Sequence, residues 1–182
     1  KHSVVLFGQK KPGKNCYSHT SITIKTNGNY KIFRIFQVCR FILKSLFLRI
    51  PIFKIIRSLK VRCVSIRDIL KQLSIILPML SERLDVLHFQ WAKSVVLYPE
   101  LIYYKNCPIV VSLRGTQINI SPQVYPELGG AYKRIFPYID AFHAVSDSLA
   151  KKGKLYGVVP EKTHTIFPAV QDEILTQFTK SH

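Results

Sequence analysis

From residue 84 onward the chain alternates two hydrophobic periods, and this alternation constrains its fold more than any other feature. Short runs of β-branched or apolar residues at 85–89, 109–113, 141–145 and 163–167 read as strands. Longer stretches of helical spacing fill the intervals at about 93–105, 124–138 and 147–156, with Pro, Gly, Asp or Ser at the junctions. Strand and helix in strict alternation call for right-handed βαβ units. The predicted class is therefore α/β, a Rossmann-like parallel sheet with helices on both faces. Val4–Gln9 and Val61–Ile66 read as further strands. With 182 residues the chain has room for one such domain and not for two, so 1–182 is expected to form a single unit.

Charge sets the first half apart. Of the net +17, residues 1–83 carry +15 and residues 84–182 carry +2. The excess concentrates at 31–62, where nine Lys and Arg interrupt an apolar segment that contains no acid. No uncharged run there approaches the roughly 18–20 residues of a membrane span. Pro51 divides the segment into two pieces. On a helical wheel Lys31, Arg34, Arg40, Lys44 and Arg49 share about half the circumference, and Lys54, Arg57 and Lys60 about a third. Each piece is a cationic amphipathic helix, able to lie on an anionic lipid surface or to pack its apolar face on the sheet with the basic face wet. A nucleic-acid-binding α/β module is the alternative partner class. It is disfavoured because the Phe residues of 31–53 sit in an Ile/Leu-rich helical pattern rather than among the basic residues as stacking platforms.

Ligands of open parallel sheets bind outside the carboxyl ends of the strands. That rule selects His88, Gln90 and Trp91 after the first regular strand, Arg114, Gly115, Thr116 and Gln117 after the second, and Ser146 and Asp147 after the third. Arg114 offers a planar fork to phosphate or carboxylate, Gly115 lets backbone approach a ligand, and His88 suits a general base or a donor to hydroxyls. Ser146 before a helix is also an ordinary N-cap, and His143 and His164 inside strands read as structural. The four cysteines form no C-x-x-C pair, so neither a metal site nor a disulfide framework is expected, and a cytoplasmic setting fits. Signatures of dinucleotide, P-loop, serine-hydrolase and zinc-protease sites are missing from the sequence.

The ordered series Asp85-Val-Leu-His-Phe-Gln-Trp-Ala92, Pro108-Ile-Val-Val-Ser-Leu-Arg-Gly-Thr116, Asp140-Ala-Phe-His-Ala-Val-Ser146, Tyr156-Gly-Val and Lys162-Thr-His-Thr-Ile-Phe-Pro168 resembles the N-terminal domain of glycosyltransferase family 4. The resemblance covers about residues 84–170. It implies a GT-B enzyme whose first Rossmann-like domain holds the acceptor. The second takes the nucleotide-sugar donor, and transfer is retaining and without metal or other cofactor. Lys1–Phe7 would then be the family's second strand, with the first βα unit and the donor domain lying outside these residues. His88 and Ser146 match the family pattern directly. Gln90 stands where many members carry a second His, and Arg114-Gly115 where they carry a His. The resemblance thus supports a catalytic His88 and an acceptor contact from Ser146, while Gln90, Trp91, Arg114, Gly115 and Thr116 are expected on a glycan or lipid-linked acceptor from the strand-end rule, the family's own residues differing at Gln90 and Arg114-Gly115. Polysaccharide or lipopolysaccharide assembly, peripherally at the inner face of the plasma membrane, is the expected setting.

Overall fold

The computed structural model describes residues 4–8, 22–26, 36, 38–44, 48–104 and 106–168. Its contacts divide the chain into two compact units, one of residues 1–83 with 103–106 and the other of 84–102 with 107–182.

In the first unit, strands β1 (Val4–Gly8) and β2 (Ile22–Thr26) pair in parallel, with Val4 opposite Ile22 and Gly8 opposite Thr26. Gln9 and the basic residues Lys31 and Arg34 lie outside the described residues, while the described positions within 36–44 are helical. Helix α1 (Ile52–Arg62) starts directly after Pro51, as the sequence requires, and buries Ile52, Ile55 and Leu59 at helical spacing. Lys54, Arg57, Lys60 and Arg62 stay exposed. The expected strand at Val61–Ile66 is not formed. Val61 and Arg62 complete α1, Cys63 leaves the helix with its N–H on the Leu59 carbonyl, and Ser65 caps helix α2 (Ile66–Leu80). The Ser65 hydroxyl accepts the Asp68 N–H at 3.2 Å and donates to the Asp68 carboxylate at 2.6 Å, a reciprocal cap that outweighs the β-branched character of Val61, Val64 and Ile66. Helix α2 buries Leu73, Ile76, Leu77 and Leu80.

The second unit carries a four-stranded, all-parallel sheet in the order β3 (Leu87–Phe89), β4 (Ile109–Leu113), β5 (Ala141–Ala144), β6 (Thr163–Thr165). The α/β class, the parallel strands and the flanking helices are as expected. Between β3 and β4 lie α3 (Ala92–Leu97) and α4 (Pro99–Tyr103); between β4 and β5 lie α5 (Gly115–Asn119), α6 (Ser121–Val124) and α7 (Pro126–Ile135), then a 3₁₀ turn at Phe136–Tyr138. Helix α8 (Asp147–Gly153) connects β5 to β6 through a second 3₁₀ turn at Lys154–Tyr156.

Prolines explain where these elements depart from the hydrophobic periodicity. The single helix expected over 93–105 is cut at Pro99, with Tyr98 pushed to φ −131°, ψ 56°, and the one expected over 124–138 begins only at Pro126 after Tyr125 at φ −124°, ψ 85°. The strand expected at 85–89 shortens to Leu87–Phe89 because its ladder starts opposite Ile109, directly after Pro108. The strand expected at 163–167 ends at Thr165, although the Ile166 N–H still reaches the Ala144 carbonyl at 2.9 Å.

The strand register sorts the sheet into two faces. Leu87, Phe89, Ile109, Val111, Leu113, Phe142 and Ala144 share one face and are all buried. Against it pack the Phe136 ring, 5.3 Å from Phe142, and Gly153, where an added Cβ would stand 3.2 Å from Leu113. Gly153 lets α8 approach the sheet closely, since a Cβ would also lie 2.9 Å from Val158 Cγ2. Gly157, at φ 90°, ends the following turn in a conformation that favours glycine. The other face carries His88, Val110, Ser112, Ala141, His143 and His164, with His88 and His164 exposed.

Candidate functional site

That second face holds a continuous row of hydrogen bonds running from the carboxyl ends of β3 and β4 into the sheet. Arg114 Nη2 donates to Gln90 Oε1 at 2.7 Å, and Gln90 Nε2 lies 3.3 Å from His88 Nδ1. His88 Nε2 is 2.8 Å from Ser112 Oγ, which is 3.1 Å from His143 Nδ1; His143 Nε2 is 3.1 Å from the Ile166 carbonyl.

With both rings neutral, only one arrangement of protons satisfies this row. A guanidinium cannot accept, so Gln90 must turn its oxygen to Arg114 and its NH₂ to His88. His88 Nδ1 is then the acceptor, and the proton of the neutral ring sits on Nε2, donating to Ser112. At the other end a carbonyl only accepts, so His143 carries its proton on Nε2 and receives the Ser112 hydroxyl on Nδ1. The two ends therefore impose the same direction on Ser112, which is buried and meets both rings. Partial burial lowers the His88 pKa below its ordinary 6.5, and the nearby His143 and then Arg114 lower it further. A neutral imidazole at this position suits both acceptance of a proton and contact with hydroxyls.

Trp91 completes the crest. The Arg114 guanidinium lies 5.4 Å from its ring centroid, within cation–π range, and the indole itself is half exposed. The Lys93 N–H donates to Gln117 Oε1 at 2.8 Å, tying the start of α3 to α5. A depression of about 280 Å³ is lined by Trp91, Lys93, Ser94, Leu97 and Gln117. A second, of about 210 Å³, lies among Asp147, Lys151, Lys154, Thr163 and Thr165.

The structure thus brings together His88, Gln90, Trp91 and Arg114, four of the residues selected by the strand-end rule. Gly115 and Thr116 follow Arg114 as the first residues of α5, and a Cβ on Gly115 would meet nothing within 4 Å, so no close packing demands glycine there. Ser146 accepts the Leu149 N–H at 3.3 Å as the N-cap of α8. The sequence reading did not single out Ser112 and assigned His143 to structure alone. The signal that links them is pairing register, Ser112 opposite His143, which a single strand's pattern does not reveal. Among the described residues no group of three His, Cys, Asp or Glu is placed to hold a metal ion.

In the first unit a mixed stripe follows the outer side of α1. Phe53 and Val61 are 84% and 85% exposed at i and i+8, with Arg57 midway and Lys60 adjoining, and Val64 beyond the helix is fully exposed. Among the described residues no helix is long and apolar enough to cross a membrane. Comparison with family models, with curated proteins and with solved structures finds no match for this chain.

Proposed function

We propose that the chain provides the acceptor-holding side of a glycosyltransferase that works at an anionic membrane surface. The observation that carries this reading is the row Arg114, Gln90, His88 at the carboxyl ends of two adjacent parallel strands, where sheets of this kind receive ligands. Each member has a role in binding a hydroxyl-rich, phosphate-bearing acceptor. Arg114 grips the anionic group and Trp91 offers an exposed ring face. His88 Nδ1 takes the proton of the acceptor hydroxyl as its oxygen bonds to the anomeric carbon on the face that the diphosphate leaves, which keeps the configuration that the resemblance implies. The nucleoside diphosphate departs with the electron pair of the old C–O bond. The motif resemblance over 84–170 supports the sugar-transfer class and assigns the donor to a second Rossmann-like half.

The test is transfer from nucleotide-sugar donors to lipid-linked saccharides, measured on the product of the complete reading frame. Arg114→Lys keeps the charge but loses the fork, so it is expected to cost about 10–100-fold in kcat/KM, the equivalent of one charge-assisted hydrogen bond. An unchanged value, or no transfer by the parent with any donor, overturns the reading.

The exposed stripe Phe53, Arg57, Lys60, Val61 favours lipid as the partner of the basic half, because apolar and cationic groups share one outward side. Co-sedimentation with liposomes should rise with the fraction of anionic lipid and fall with salt, since the Debye length is only about 8 Å near physiological ionic strength. Phe53→Ser combined with Val61→Ser should weaken it at constant charge. Tighter binding to DNA than to anionic vesicles would give the surface to nucleic acid instead.

A further inference from the structure

Gln90 occupies two groups at once, the Arg114 guanidinium through Oε1 and the His88 lone pair through Nε2. We propose that it is a displaceable latch: an oxyanion binding the Nε–Nη2 edge of Arg114 takes the place of the Gln90 oxygen, and so uncovers His88 Nδ1.

Arg114 supplies the first reason. The Nε–H and one Nη2–H of a guanidinium point the same way and form a two-pronged edge that matches the two oxygens of a phosphoryl or carboxylate group. Here Gln90 Oε1 meets the Nη2 prong at 2.7 Å, while Nε is buried and has no hydrogen-bond partner. A single carboxamide oxygen fills half of a site shaped for two oxygens. A second reason lies in Gln90 itself, whose side chain is exposed at the end of β3 and can swing into solvent. Its other bond, 3.3 Å to His88, is the longest in the row and the easiest to give up. The third is that Ser112 and His143 hold the rest of the row without Gln90. Bonded to Ser112 at 2.8 Å, His88 Nε2 keeps its proton, so release of the latch exposes a lone pair on Nδ1 rather than a reshuffled ring.

The ligand class is an oxyanion with two free oxygens on one centre. In the sugar-transfer reading, on which the use of this latch rests, the base is uncovered only when the anionic part of the acceptor is seated. A neutral saccharide would leave Gln90 in place and His88 covered. Specificity would then reside in Gln90 as much as in Arg114.

The closing experiment observes His88 directly and needs no transfer activity, so it can fail or succeed independently of the glycosyltransferase reading. The protein, ¹⁵N-labelled in histidine, is titrated with inorganic phosphate and separately with acetate, and the anion that reaches half-saturation at the lower concentration identifies the preferred oxyanion class. A pyridine-type nitrogen that loses a donor moves downfield, so the His88 Nδ1 resonance is expected to shift that way with either arm while Nε2 stays protonated. Gln90→Leu should show the shifted resonance without any anion and no further change on titration. Gln90→Glu, which sets a carboxylate on Arg114 and offers no donor to His88, should do the same. Arg114→Gln should abolish the response to anion. The latch is overturned if neither anion moves the resonance, if Arg114→Gln responds as the parent does, or if the Gln90→Leu spectrum equals that of the parent. Preserved backbone amide spectra confirm that each variant is folded.

Discussion

Under the proposed sugar-transfer function, replacing His88 by Ala is expected to lower transfer by about 10²–10⁴-fold, the usual contribution of a positioned general base. The fold should survive the change. His88 is exposed at the crest of the sheet, and Ser112, its buried neighbour, keeps His143 as a partner at 3.1 Å. The stability cost is therefore limited to about one ordinary hydrogen bond, roughly 1 kcal/mol. Thermal melting beside the transfer assay separates the two effects, and activity lost only in step with melting would return His88 to a structural role. The pH profile carries a further signature. Because burial, His143 and Arg114 hold the His88 pKa below 6.5, the ring stays neutral at pH values where a free imidazole is already charged. Transfer should accordingly persist as pH falls through 6.5 and decline only below it. A decline centred at or above 6.5 would point to a different titrating group.

Phe136→Ala should be the most damaging single change in the strand-and-helix unit, with an expected loss of about 3–5 kcal/mol against a total stability typically of about 5–15 kcal/mol. The Phe136 ring has no exposed surface and lies stacked on Tyr132, with centroids 4.6 Å apart and planes 15° from parallel. It also meets the edge of Phe142 at 5.3 Å, so it joins α7 to the covered face of β5. Burial first, and then Tyr156, push the Tyr132 phenol well above its ordinary pKa. Removing the central ring leaves a cavity that neither strand nor helix can close without moving the others. Urea denaturation measures the loss. Leu155→Ala, at a position 63% exposed, is the control and should change stability by no more than about 0.5 kcal/mol. Equal midpoints for the two variants would contradict the assignment of this core.

How far the protein was legible in its sequence differs from element to element. Strand β4 coincides with its apolar run, Ile109–Leu113, because a largely buried central strand leaves Ser112 as the one polar residue to interrupt it. Helix ends were legible where proline stood in the chain, yet Pro99 and Pro126 divide what periodicity joins, since the missing N–H and the constrained preceding residue act locally and outrank an apolar stripe. Val61–Ile66 misled for the converse reason. Its β-branched residues satisfy strand propensity, but that propensity has value only beside a partner strand, whereas the Ser65–Asp68 cap forms from residues three apart.

The sequence by itself determined the alternation of strands and helices, the parallel sheet that follows from it, the cationic character of the first half, and the placement of His88, Gln90, Trp91 and Arg114 at strand ends. These properties depend on neighbours within a few positions along the chain, or on charge alone. Tertiary structure decided what those side chains do to one another. Ser112 meets His88 and His143 across 24 and 31 residues of sequence, and Arg114 meets Gln90 across 24. Contacts of that separation exist only once strand order and register are set. Order and register arise from burying one apolar face of the sheet, a demand of the whole unit that no local stretch of residues expresses.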